Sequence, residues 1–276
     1  IEKEEIFVIK KENEITTELT ELKERELSNY SCINYPFFPC FFGKTIDGEY
    51  PIIEYINGNR LDNIKKMKLN DEDKIYIIFQ IIAALRYLHE KGFIYRDLKP
   101  DNIIIDQNKS VVIIDFDRMI KLCDAENSLN ITKDFGSNYA APELNQGTVS
   151  FKNDIFSLGQ IIYFIIEEKI PQIKNNVKIK NLKNDSPIQK IYETCTDDDI
   201  NERPSIFDLF MTFYINYSEI NAFLNSDGMF IIDELSIEPF HMEAAIQYYL
   251  KVLNKKNAKA LFKLGCIYQD GELIER

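Results

Sequence analysis

The stretch that most restricts what this chain can fold into runs from residue 95 to 117. It reads YRDLKPDN, then two β-rich apolar runs at 103–105 and 111–114 around a polar turn, then DFD. Upstream, Asn70 followed by Asp71, Glu72 and Asp73 makes a capped helix start whose acids match the macrodipole. Ile78, Ile81, Ile82, Leu85 and Leu88 then recur on one helical face, and Gly92 provides a C-terminal stop. A short polar loop therefore sits between an amphipathic helix and a small hairpin, a place from which several side chains reach one cleft.

The other segments fit an α+β arrangement. Residues 4–11 (EEIFVIKK) read as a strand, and 12–28, with Leu19, Leu22 and Leu27, as a helix. Apolar runs around Asp47-Gly48 signal a hairpin across 38–56. Beyond 150 the pattern is helical, at 154–168, 187–195 and 204–217. A strand-rich small part followed by a helical large part predicts two lobes.

Composition excludes several functions. Net charge is −12 with the acids scattered, which argues against nucleic acid as a partner. No apolar run is long enough to span a bilayer as a helix, so no membrane partner is expected. The five cysteines are widely spaced without a C-x-x-C pair, so they read as reduced, buried thiols of a cytoplasmic protein. With only two histidines, His-based triads and His-rich metal sites are disfavoured.

Within the loop, Asp97, Lys99 and Asn102 offer a carboxylate, a cation and an amide that can orient a hydroxyl, neutralise a phosphate and hold a metal. Asp115, at the end of an apolar strand, is placed to be a second metal ligand. YRDLKPDN closely resembles the catalytic loop of protein kinases, and DFD resembles their magnesium-binding triplet. Further landmarks follow the family's order. FVIK at 7–10 resembles the strand bearing the ATP-binding lysine, and PIIEYING at 51–58 the hinge. GSNYAAPE at 136–143 resembles the end of the activation segment, DIFSLG at 154–159 the start of the central helix, and ERP at 202–204 the late arginine motif.

The resemblance implies a bilobal kinase fold over 1–220 and transfer of the ATP γ-phosphate, with magnesium, to Ser or Thr of protein substrates. It makes Asp97 the base, Lys99 the residue steadying the phosphate, and Asn102 and Asp115 the magnesium ligands. Lys10 would contact the phosphates and pair with Glu18, Glu21 and Lys11 being the alternatives. Ile53 would be the gatekeeper, the backbone of Glu54 and Ile56 would bind adenine, and Val8 and Ile104 would sandwich it. Glu143 and Arg203 would form a buried ion pair, with Asp154, Phe116 and Ser137 as structural or activation-segment positions. Arg96 would receive a phosphate from Ser128 or Thr132, while Lys99 and Ser137 favour serine/threonine specificity.

The chain departs from the family in three ways. No Gly-rich loop precedes Lys10, Asp117 stands where glycine is usual, and Tyr95 replaces the usual histidine. The alternative reading is a pseudokinase or scaffold that binds nucleotide and partners without transfer. After a connector at 221–240, residues 241–276 resemble a Sel-one-like helical repeat through Ala258, Ala260, Leu264, Gly265, Tyr268 and Gly271. That resemblance implies a protein-docking array continuing past Arg276, and the start at Ile1 implies a longer natural chain.

Overall fold

The computed structural model describes residues 7–9, 17–48, 50–124, 137–171 and 187–216, with the side chains at 17–22, 187 and 214–216 excepted. Lys10, Lys11, Ser128, Thr132, the expected connector and the expected repeat lie outside the described residues. The chain divides into two units, one up to Tyr55 and the other Ile56–Asn216.

The first unit holds strand β1 (Phe7–Ile9), helix α1 (Thr17–Cys32), and strands β2 (Phe41–Lys44) and β3 (Pro51–Glu54). The strands form an antiparallel sheet in the order β1-β3-β2. Asp47-Gly48 makes the expected turn: Gly48 adopts φ 76°, a left-handed conformation open to glycine, and its N–H donates to the Thr45 carbonyl at 2.7 Å. Helix α1 forms in the segment where a helix was expected. Its buried described residues are Glu26, Asn29 and Tyr30, while Leu27 is only partly covered.

The second unit is mainly helical. It contains β4 (Gly58–Arg60), α2 (Ile64–Met67), α3 (Asp71–Glu90), β5 (Phe93–Ile94), β6 (Ile103–Asp106), β7 (Val111–Ile113), β8 (Ile120–Lys121), α4 (Phe151–Glu167), α5 (Pro187–Cys195) and α6 (Ile206–Asn216). Helix α3 starts on a capping box, with Asp73 N–H donating to Asn70 Oδ1 at 2.7 Å and Asn70 N–H to Asp73 Oδ2 at 3.2 Å. Its residues 76–85 are buried without a break, not on one face, because α4, α6 and β7 all pack against it. Helix α5 packs closely on α4: a Cβ at Gly159 would lie 2.6 Å from Thr196 Cγ2, so only glycine fits.

The expected hairpin is β6–β7, closed by Asp106, whose Oδ1 accepts from Asn108 and Ser110 N–H, each at 2.8 Å. The sequence did not show its third strand. Strand β4 pairs with β6, and a Cβ at Gly58 would sit 2.5 Å from the Ile105 carbonyl oxygen. Among the described residues, no helix is long and apolar enough to cross a membrane.

Candidate active site

The polar loop is built on a carboxylate supplied by α4. Asp154, fully buried, accepts from the backbone N–H of Tyr95 and of Arg96, each at 2.8 Å, and lies 2.8 Å from His89 Nε2 on α3. These bonds hold Arg96 at φ 68°, a conformation that costs a non-glycine residue energy and needs such support. The loop is therefore tied to both central helices just before Asp97.

Asp97 gathers the other two polar groups. Lys99 Nζ donates to Asp97 Oδ2 at 2.7 Å, and Asn102 Nδ2 donates to the same oxygen at 2.8 Å and to the Asp97 carbonyl at 3.0 Å. A turn over Pro100–Asn102, closed by Asn102 N–H on the Lys99 carbonyl at 3.0 Å, sets this spacing. The sequence-derived trio is thus one hydrogen-bonded cluster. Its ion pair stays open to water, with Lys99 30% and Asp97 12% exposed.

Ile114 couples this cluster to the end of the hairpin. Its N–H donates to the Asn102 carbonyl at 2.9 Å, and its carbonyl accepts from the Tyr95 hydroxyl. Asp115 follows at φ 71°, a second strained non-glycine position. Phe116 is fully buried, its ring edge-on to Tyr95 with centroids 6.3 Å apart. Tyr95 therefore keeps the packing expected of an aromatic there and adds a hydroxyl bond.

Asp117, in the place where glycine is usual, is not among the positive-φ residues, so its backbone suits an aspartate. Arg96 is buried, and its Nη1 donates to the Arg118 carbonyl at 3.2 Å.

Glu143 and Arg203 meet as expected. Arg203 Nη1 lies 2.6 Å from Glu143 Oε1 and Nη2 lies 3.1 Å from Oε2, with side chains 0% and 8% exposed. Asn153 Nδ2 and the carbonyls of Lys152 and Asp197 complete the cluster, and Phe156 faces the guanidinium at 4.9 Å. Cys195 is buried beside it, and burial pushes its thiol well above the usual range despite the counteracting Arg203 charge. The cysteines correct the expectation of buried thiols: Cys40 and Cys195 are buried, but Cys32 and Cys123 are exposed.

Ser137 shapes a turn, accepting at Oγ from Tyr139 N–H at 3.2 Å. Tyr139 is held neutral, its phenol raised by burial and then by the Asp101 charge.

In the first unit, Val8 and Ile53 are direct cross-strand partners, so their side chains share one face of the sheet. The Glu54 N–H is engaged by the Cys40 carbonyl at 2.9 Å, whereas the Ile56 backbone makes no main-chain hydrogen bond among the described residues. Ile104 lies in β6, half-buried between the buried Ile103 and Ile105. The Glu18 and Glu21 side chains are not described. Among the described side chains of α1, Glu26 is a buried acid, at 4% exposure, that the sequence reading did not single out. The available signal was Glu26, Asn29, Tyr30 and Ile33, spaced as one helical face but partly masked by charge.

The family's model, described as a protein kinase domain, matches residues 2–261. The chain belongs to the protein kinase domain family. It is 30% identical over 178 residues to CBL-interacting protein kinase 10 of Oryza sativa subsp. japonica, covering 62% of this chain and 40% of that protein. Over 187 residues it is 30% identical to the serine/threonine-protein kinase PknB of Mycolicibacterium smegmatis, covering 64% of this chain and 28% of that protein. CBL-interacting protein kinase 21 of Oryza sativa subsp. japonica is 34% identical over 149 residues, 51% of this chain and 28% of its own length. The chain thus spans less than half the length of these relatives.

Protein kinases generally use ATP and magnesium, and the donors here suit that ion. Asn102 spends its Nδ2 on Asp97, which leaves Oδ1 as an oxygen donor accepting from no described residue. Asp115 adds a carboxylate. One or two such oxygens together with nucleotide phosphates are the usual magnesium set, which needs no larger protein cage.

Proposed function

We propose that this chain is the catalytic domain of a serine/threonine protein kinase, transferring the ATP γ-phosphate to Ser or Thr hydroxyls of proteins. The observation that carries the reading is the cluster at Asp97, where Lys99 and Asn102 converge on one carboxylate oxygen. Asp97 would orient the acceptor hydroxyl and take its proton as the oxygen bonds to the γ-phosphorus and the β–γ bridging bond breaks. Lys99 would leave Asp97 to face the transferring phosphoryl group. Asn102 and Asp115 would hold magnesium, which when bound neutralises phosphate charge.

Lys10 would contact the α and β phosphates and pair with Glu18, with Glu21 and Lys11 as the alternatives. Val8, Ile53, Ile104 and the backbone of Glu54 and Ile56 would form the adenine site. Lys99 together with Ser137 supports serine/threonine over tyrosine, as does the similarity to the serine/threonine-protein kinase PknB. Ser128 or Thr132 would be phosphosites read by Arg96, and 241–276 would be a helical repeat that docks partners.

The test is transfer from labelled ATP to a Ser/Thr protein substrate by the full chain and by Asp97→Asn. Transfer by the first and not the second supports the assignment. Equal transfer by both, or transfer by neither with nucleotide still bound, overturns it.

A further inference from the structure

We propose that an exposed basic ledge beside the catalytic loop selects protein substrates carrying Asp or Glu near the acceptor Ser or Thr. The inference rests on the kinase reading above and names the substrate class of that site.

Across a chain of net charge −12, residues 60–68 are the reverse. Arg60, Lys65, Lys66 and Lys68 face one acid, Asp62. All four cations are exposed. They are splayed outward because Leu61 and Ile64 are buried, 0% and 2% exposed, and anchor the segment from below. Asp62 accepts from its neighbour Asn63 at 2.7 Å, and Lys66 donates to Asn63 Oδ1 at 3.2 Å. Among the described residues, Arg60, Lys65 and Lys68 make no ion pair, so their charge is available to a ligand.

Position gives the ledge its meaning. Arg60 is the ladder partner of Ile104, two residues beyond Asn102. The turn Leu61–Asn63 packs directly on the turn Pro100–Asn102 that sets the Asp97 cluster. Asp101, the exposed acid of that second turn, acts on Tyr139. A polypeptide presenting a hydroxyl to Asp97 would therefore pass a surface of cations that make no ion pair among the described residues. Guanidinium and ammonium groups there favour carboxylates, through steering as well as contact.

A peptide fits better than the other polyanions. The ledge is a single short segment, bounded at once by Asp71, Glu72 and Asp73, and the rest of the chain repels extended polyanions. Anionic membranes are usually read by clusters of about four to eight cations beside an apolar anchor. Among the described residues, no large exposed apolar side chain falls within 60–68.

The experiment uses the full chain and matched peptides carrying Glu, Ala or Lys around one Ser. It measures kcat/KM for transfer and, independently of turnover, binding by fluorescence anisotropy. Each exposed charge pair contributes about two- to fivefold, so the Glu peptide is expected to exceed the Lys peptide by about tenfold. The margin should shrink as ionic strength rises. Arg60→Glu with Lys65→Glu and Lys66→Glu should invert the ratio, and the corresponding Gln triple should flatten it.

A ratio near one in the unaltered chain, or a ratio unmoved by these substitutions, overturns the proposal. So does ledge-dependent capture of phosphatidylserine vesicles or single-stranded DNA in preference to the Glu peptide. Transfer to the Ala peptide without acid preference refutes the ledge alone. Ledge-dependent binding of the Glu peptide without any transfer refutes the kinase reading alone.

Discussion

Two ion pairs in the helical unit show how the same chemistry serves different ends. Glu143–Arg203 is sealed, its guanidinium 0% exposed, bidentate and further bonded to two backbone carbonyls. Asp97–Lys99 is a single contact, with Lys99 30% exposed. A sealed pair cannot exchange partners without stranding a buried charge. An open pair can release its cation to another anion at little cost. The first is built to persist and the second to be interrupted, which is what phosphate binding at Lys99 requires.

Breaking the sealed pair should give the largest effect on stability. Arg203→Ala leaves Glu143 uncompensated and is expected to cost about 3–5 kcal/mol, read as a lowered denaturation midpoint. Lys99→Ala should do the opposite. Stability should move by about 1 kcal/mol or less, while phosphate transfer falls roughly a hundredfold. A large stability loss there would erase the distinction between the pairs.

Tyr95→Phe sharpens the comparison on the catalytic side. It keeps the ring against Phe116 but frees the Ile114 carbonyl that sits between Asn102 and Asp115. Loss of that bond, worth about 1 kcal/mol, should raise the magnesium concentration for half-maximal nucleotide binding by about fivefold. An unchanged magnesium requirement would show that Ile114 does not position the ligands. Asp117→Gly should have the smallest effect, a stability loss of about 0.5–1 kcal/mol through a more flexible unfolded chain, because position 117 does not need positive φ.

What the sequence reveals follows how local the cause is. The α3 cap, the Asp47-Gly48 turn and the Asp97–Asn102 loop depend on residues within a few positions, and their side chains meet as expected. Non-local features were harder to read. Continuous burial of α3 comes from elements distant in sequence that pack around it, and pairing of β4 comes from a glycine that admits the Ile105 carbonyl. Glu26 was missed because, within TELTELKEREL, a charged residue reads as solvent-facing although the helix turns it inward. The ligands of the loop were legible as types and spacing. That Tyr95 and Asp154 hold them from neighbouring elements was not.

The most direct test of the contrast between the two pairs is a paired measurement on Asp97→Asn in the full chain. Phosphate transfer to a Ser/Thr protein and the thermal denaturation midpoint would be recorded on the same preparation. Transfer is expected to fall roughly a hundredfold or more, with the midpoint within a few degrees of the unaltered chain. Transfer that persists, or a midpoint that collapses as expected for Arg203→Ala, would contradict it.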